Sequence, residues 1–356
     1  MFVAIAIIAF GILIAVHELG HFAAAKLLGV RVNEFAIGMG PKILKRQGKE
    51  TLYSLRLLPF GGFCAMEGVD EESNDERSFS LQKRWKRVVI LASGGIMNFI
   101  AAFIIVVVLV SGMTHFGGTT IVHIRDEFPN QGEHGLMVGD TLVSINGERL
   151  YYRDDFEMFM NLAEDRGDRE VNLVIRRDGE TIRMNNFPLE RREMEIDGQI
   201  LRRFGLTFNI IEATTWQRLR YAGYTSINFV RIIRVSIAEL IGGAFGMRDV
   251  YGGIGIIHEM NVAGQMAQTV RAGIRNIAYF TALMGVNLAV VNLLPIPALD
   301  GGRILFIGIT YIIEKVTRKR LNPKYEGYIH TAAFVLLLGF LAFTLVNDVM
   351  RITGRG

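Results

Sequence analysis

The chain has a single cysteine in 356 residues, Cys64, so no disulfide framework can hold it together. It has no strong charge of one sign. A net charge of +4 gives no sign of nucleic-acid binding, and none is expected. No repeat or low-complexity tract stands out. The first apolar run lacks the basic flank of a cleavable signal peptide, so it reads as a retained first span. Long apolar runs, by contrast, are plentiful. Half of the residues are hydrophobic and 21% are charged, with a mean hydropathy of +0.30. That is too apolar for an ordinary soluble domain and too charged for spans alone. A membrane protein with one sizeable soluble insertion satisfies both figures.

Four stretches have the length of a bilayer crossing. They run from Phe2 to about Leu28, from Val88 to about Met113, from about Ile274 through Leu294, and from Tyr328 to about Val349. The third breaks at Pro295 and Pro297 and resumes from Gly301 to Ile313. Twelve Lys or Arg lie between Lys26 and Arg87, and Lys315, Arg318, Lys319, Arg320 and Lys324 lie between spans three and four. The positive-inside rule makes both loops cytoplasmic and puts both termini and the long insertion outside.

In that insertion, residues 115 to 190 alternate strand-like runs with turn signals. Thr141–Ile145 leads to Asn146-Gly147, and Val171–Arg176 leads to Asp178-Gly179. Phe156 to Ala163 reads as a short helix. Thr214 to Ile241, interrupted by Arg218, Arg220, Arg231 and Arg234, reads as an amphipathic helix pair at the outer surface. A fifth span is the alternative, but it would put the last basic loop outside.

Within the first span stand His17, Glu18 and His21, a His-Glu-x-x-His pattern. Two imidazoles four residues apart share one helix face and can share a metal, and the adjacent glutamate can act as base on water. Polar groups in a span are expensive and mark function by default. The bland alternative is two histidines packed against neighbouring helices. Far downstream, Asn292-Leu-Leu-Pro295-Ile-Pro297-Ala-Leu-Asp300-Gly-Gly breaks a span. Irregular backbone at membrane depth is tolerated only where it lines a cavity or meets protein. Asp300 can complete a three-ligand zinc site; its alternative role is a helix cap. Gly94-Gly-Ile-Met-Asn98 opens the second span, with small residues for close helix approach and an amide to bond across helices or to substrate.

The first loop carries two strand candidates, Val30–Ile37 and Thr51–Leu58, the second followed by Pro59-Phe-Gly61-Gly62-Phe63. A sheet edge there could hold a substrate segment extended by strand addition, with Gly61 and Gly62 as candidate substrate-binding residues. The same residues would also make a purely structural hairpin.

With these segments in view, the chain resembles the site-2 protease family of intramembrane zinc metalloproteases, and within it the bacterial regulator-of-sigma-E protease group. The likeness covers nearly the whole chain, and the Asn292–Gly302 string is its most specific part. Gly135-Leu-Met-Val-Gly-Asp-Thr-Leu-Val-Ser-Ile-Asn-Gly147 looks like the core of a PDZ domain. The resemblance implies zinc bound by His17, His21 and Asp300, Glu18 as acid/base, and Asn98, Asn292, Pro295 and Pro297 close to substrate. It implies a multi-pass protein of the bacterial cytoplasmic membrane, with its site toward the cytoplasm and its PDZ domain outside. Its substrates would be single-span membrane proteins already shortened on the outer side, such as anti-sigma factors or remnant signal peptides. The PDZ domain would bind a peptide tail or act as a size filter.

The expected architecture is therefore a polytopic α-helical membrane protein of four spans, the third broken, with a small membrane-associated β-sheet and one inserted α+β domain. Residues 1–113 and 274–356 form the two halves of the core, 114–190 the PDZ domain, and 191–273 a helical connector. Two features depart from the family pattern: there is room for only one PDZ domain, and Gly94-Gly95 stands where Gly-Pro is common. The rival readings are a metal or ion transporter and a non-proteolytic client-binding membrane protein. A transporter would show paired broken helices, and only one break is present.

Overall fold

The structure, a computed structural model, describes all residues except 70–72, 127, 197–198, 244–249, 319–322 and 354–356. Lys319 and Arg320 of the last basic loop lie outside the described residues. The chain divides into two compact units, Met1–Leu109 with Phe229–Gly356, and Val110–Asn228.

The first unit begins with α1 (Phe2–Leu27), an apolar helix without proline. Its 26 residues reach about 39 Å at 1.5 Å each, enough for a hydrocarbon core of about 30 Å. It ends where Gly29 takes φ +82° and Val30 N–H returns to the Ala25 carbonyl at 2.8 Å. Next come β1 (Val32–Gln47) and β2 (Leu52–Met66), followed by α2 (Arg84–Val110). The two strands are longer than their sequence signals and fold into more than a plain hairpin. Ile37 has Gly62 on one side and Leu55 on the other, while Gln47 faces Leu52. Glu34 ties the bend together, accepting from Ser54 Oγ at 2.7 Å, Arg56 Nη2 at 2.9 Å and Lys42 Nζ at 3.0 Å.

The second unit holds β3 (His115–Ile124), β4 (Thr141–Ile145), β5 (Glu148–Arg149), α3 (Arg153–Asp165), β6 (Glu170–Arg177) and β7 (Glu180–Pro188). After them come β8 (Arg192–Ile196), β9 (Gln199–Arg203), β10 (Leu206–Glu212) and the start of α4 (Thr215–Gly242). The main sheet runs β10-β3-β4-β6-β7, with β5 beside β4. Asn146-Gly147 and Asp178-Gly179 both have positive φ at their two residues, as the tight hairpin turns expected from sequence require. Helix α3 packs Phe156, Phe159 and Met160 onto Leu142, Leu173 and Ile175 of the sheet. Arg177 grips Asp140 through Nε and Nη2, at 2.8 and 2.7 Å, and so holds the 133–140 loop.

Two features differ from the sequence expectation of a helical connector over 191–273. Residues 192–212 form strands, and β10 closes the main sheet against β3, with Ile211 opposite Phe116. As an edge strand, β10 buries Phe208 but leaves Ile210 71% exposed, so its alternation is weak. The expected helix pair is one 28-residue helix, α4, because no proline interrupts it.

The first unit resumes with the end of α4 and adds α5 (Gly253–Gln265), α6 (Val270–Leu293), α7 (Asp300–Thr317) and α8 (Pro323–Ile352). Among the described residues, four helices are long and apolar enough to cross a membrane: α1, α2, α6 and α8. Ala6, Met260 and Ile277 join α1, α5 and α6. Ala25, Val32, Ile90, Leu91 and Ile307 join α1, β1, α2 and α7. Asp348 of α8, fully buried, accepts the N–H groups of Gly252 at 3.0 Å and Gly255 at 2.8 Å, capping the open amide end of α5.

Between α6 and α7 the helix stops as its prolines dictate. Leu294, which precedes Pro295, is extended at φ −64° and ψ 147°. Ala298 is left-handed at φ +77°. Helix α7 then restarts at Asp300. A Cβ on Gly301 would sit 2.3 Å from the Leu293 and Leu294 carbonyl oxygens, and one on Gly302 2.2 Å from that of Ile296. Only glycines let the new helix begin so close to the end of the old one.

Candidate metal centre

His17 and His21 lie one turn apart on α1 and are 8% and 6% exposed. Asp300, the first residue of α7, meets both. Its Oδ2 is 3.2 Å from each Nε2, and the two Nε2 atoms are 3.1 Å apart. Three donor atoms thus form a nearly equilateral triangle. A tetrahedral zinc with bonds of about 2.0–2.1 Å needs donors about 3.3 Å apart. The ring of His21 is already committed: its Nδ1 bonds the Ile90 carbonyl at 2.8 Å, which leaves Nε2 as the nitrogen that could ligate a metal. Two imidazole nitrogens and a carboxylate oxygen this close call for a shared cation, and the set fits zinc with one position left open. The position of Asp300 in the first turn of α7 adds favourable helix-dipole charge for an anion. Its cap role is not realised, since Leu299 occupies the N-cap position.

The surroundings come from four further segments. Glu18 follows His17 on α1, and its carboxylate meets the backbone amide of Cys64 on β2. Gly62 adjoins it: a Cβ there would sit 3.4 Å from Glu18 Cγ. Gly61 instead packs against Met39, away from the histidines. Asn292 Nδ2 lies 3.4 Å from His17 Nε2, and Asn98 Nδ2 lies 3.5 Å from His17 Nδ1. Pro295 is exposed and Pro297 half-buried in the break; the structure uses them to shape the backbone.

Two contributors escape a reading of residue types. The Ile90 carbonyl fixes the His21 ring, and a backbone acceptor carries no sequence signature. Gly94 is the other. A Cβ there would stand 2.5 Å from His21 Nε2 and 2.6 Å from His17 Cε1, inside the triangle's own shell. Gly20 on α1 faces it, with a would-be Cβ 2.4 Å from the Ser93 carbonyl. The paired glycines of the second span were a signal for close packing, but not for which partner they approach.

Residues 5–340 match peptidase family M50. A Clostridium perfringens protein named "putative zinc metalloprotease" is 34% identical over 98% of this chain and 99% of its own length. A Fusobacterium nucleatum protein of the same descriptive name is 31% identical over 98% of each. The Bacillus subtilis regulator of sigma-W protease is 27% identical over 97% of each. With a family match across nearly all of its length and a relative above 30% identity, the chain belongs to peptidase family M50, the site-2 protease family, and is a multi-pass membrane zinc metallopeptidase.

Proposed function

We propose that the chain hydrolyses peptide bonds within the transmembrane segments of single-span membrane proteins. The observation that carries this reading is the triangle of His17, His21 and Asp300 donors at 3.1–3.2 Å, built from helices α1 and α7 beside Glu18. The sigma-W relative supports substrates of the anti-sigma-factor type, and remnant signal peptides share the same single-span form.

His17, His21 and Asp300 would hold the metal. Bound zinc supplies Lewis-acid chemistry, bringing the pKa of water toward neutrality and polarising a carbonyl. Glu18 takes the proton of the attacking water as its oxygen adds to the scissile carbonyl carbon. The same carboxyl then returns the proton to the amine nitrogen as the C–N bond breaks. Asn292, whose amide lies 3.4 Å from His17 Nε2, would donate to the substrate carbonyl. The β2 segment at Gly61 and Gly62, which adjoins Glu18, offers an edge for an unwound substrate strand. That matters because a helix hides its carbonyls in internal hydrogen bonds.

The basic loops put the site on the cytoplasmic side of a bacterial inner membrane, with the termini and the inserted domain outside. The inserted α+β unit is read as a single PDZ domain, extended past residue 190 to include β10. Its role is first a steric filter against substrates with large outer domains, because access to a buried site is a problem of size before one of affinity.

The test is cleavage of a purified single-span substrate in detergent. Glu18→Gln is expected to lower kcat by at least about 100-fold while leaving zinc bound. Chelation abolishes cleavage and added zinc restores it. Full activity in Glu18→Gln overturns the mechanism.

A further inference from the structure

Asn98 lies on α2 one helical turn beyond Gly94 and is fully buried. The polar group it faces is Nδ1 of His17, 3.5 Å from its Nδ2. Its other amide atom, Oδ1, is buried without a hydrogen-bond partner. A buried amide with an orphaned oxygen is costly, and it needs a physical reason.

The reason follows from the metal chemistry of the ring beside it. His17 directs Nε2 at Asp300 and at His21 Nε2, so its lone pair on that atom belongs to the metal. A neutral imidazole that ligates through Nε2 carries its proton on Nδ1. The group facing Asn98 is then an N–H donor, and an amide NH₂ is the wrong partner for it. Turning the Asn98 amide by half a rotation exchanges its two terminal atoms. Oδ1 then faces the ring N–H, and Nδ2 takes the place where the oxygen met no donor. The two amide orientations fill the same volume, and only the one that turns oxygen toward the ring pairs an acceptor with a donor. His21 already has its equivalent, since its Nδ1 bonds the Ile90 carbonyl. Metal-bound histidines usually donate their second N–H to such an acceptor, which fixes tautomer and ring angle.

We infer that Asn98 is a positioning residue that accepts the His17 Nδ1–H through Oδ1 and so fixes the ring for zinc, rather than a residue that touches substrate. This rests on the zinc reading given above.

The test measures zinc affinity of the purified full-length chain by competition with a chromophoric chelator. Asn98→Leu keeps the volume and removes the acceptor; its zinc affinity should fall about 10–100-fold. Asn98→Asp keeps an acceptor and loses the amide donor; it should bind zinc as tightly as the wild type or tighter. Cobalt-loaded protein gives a second readout: the ligand-field bands should shift in Asn98→Leu and be restored in Asn98→Asp. Helical circular dichroism of the metal-free chains checks folding, and Asn98→Ala replaces the leucine variant if that one does not fold, with the same loss expected. Wild-type zinc affinity in the leucine or alanine variant overturns the inference, as does equal loss in the aspartate variant. A raised KM with unchanged zinc affinity overturns it too, in favour of a substrate contact. A wild-type chain without stoichiometric zinc overturns the zinc reading and this inference together.

Discussion

Gly94→Ala is the smallest change that should remove the metal without touching a ligand. The added methyl would stand 2.5 Å from His21 Nε2 and 2.8 Å from His17 Nε2, where ordinary contact begins near 3.4 Å. Each imidazole must therefore retreat by roughly 0.6–0.9 Å, beyond the tolerance of about 0.2 Å that a metal site allows. Helix α2 cannot move away instead. Its Ser93 carbonyl is pressed to Gly20 of α1, and a Cβ on Gly95 would lie 3.1 Å from the Ala289 carbonyl of α6, so α2 is wedged between them. Overpacking of this kind costs about 1–3 kcal/mol in fold stability. The larger effect is on the ligand triangle, and zinc affinity should fall by at least about 100-fold.

The assay is chelator competition, with two glycine controls. Gly95→Ala presses only on α6 and should lower melting temperature while keeping zinc. Gly223→Ala, with nothing within 4 Å, should be neutral or slightly stabilising as a helix residue. A Gly94→Ala chain that binds zinc as tightly as the wild type would refute the close approach of α2 to the histidines.

Three further expectations concern groups outside the site chemistry. Burial, and secondarily the charge of Glu18, pushes the Cys64 thiol up to about 12, so maleimide at neutral pH should label the folded chain slowly and the denatured chain at once; rapid labelling of the folded chain would show the β2 segment open. For Glu34, burial alone would raise the carboxyl, but the bonds from Ser54, Arg56 and Lys42 outweigh it and hold the value at about 2. Because the folded value lies below the ordinary one near 4.5, the stabilisation is complete above about pH 4.5 and is lost as pH falls toward 2. Hydrogen exchange over residues 32–56 should accelerate in that window, and Glu34→Gln should flatten the dependence. Asp348→Ala leaves the Gly252 and Gly255 amides without their acceptor, at about 1–3 kcal/mol each. Exchange at the start of α5 should rise and melting temperature fall; an unchanged melt would mean that this cap contributes nothing.

The cluster of His17, His21 and Asp300 was legible in the sequence because each residue obeys a local rule. His17 and His21 follow helical spacing, and Asp300 sits where two prolines and two glycines force a break. The hairpin turns at Asn146-Gly147 and Asp178-Gly179 were legible for the same reason: left-handed backbone selects its residues. What escaped was set by tertiary neighbours. Strand β10 carries half-exposed Ile211 and exposed Ile210, and only its pairing with β3 makes it a strand. The arginines of α4 read as interruptions, yet the helix runs through them: Arg is a good helix former, and Arg220, Arg231 and Arg234 fall on one face. Gly94 was visible as a packing residue, but the crossing of α2 over α1 decides that it faces two imidazoles. Asn98 was legible as a polar residue in a span, while its orphaned oxygen exists only in the folded arrangement.

The break between α6 and α7 has a geometric consequence that its sequence does not announce. Asn292 Nδ2 and Asp300 Oδ2 both reach His17 Nε2, at 3.4 and 3.2 Å. Eight residues of continuous helix would separate their backbones by about 12 Å along the axis, so one imidazole nitrogen could not meet both. The chain solves this by ending α6 at Leu293, looping through Pro295, Pro297 and the left-handed Ala298, and restarting at Asp300. Gly301 and Gly302 let the restart press against the carbonyls of 293, 294 and 296. The prolines and glycines thus bring the Asp300 carboxylate and the Asn292 amide to one point beside His17. A helix without the break could carry the aspartate or the asparagine to His17, but not both.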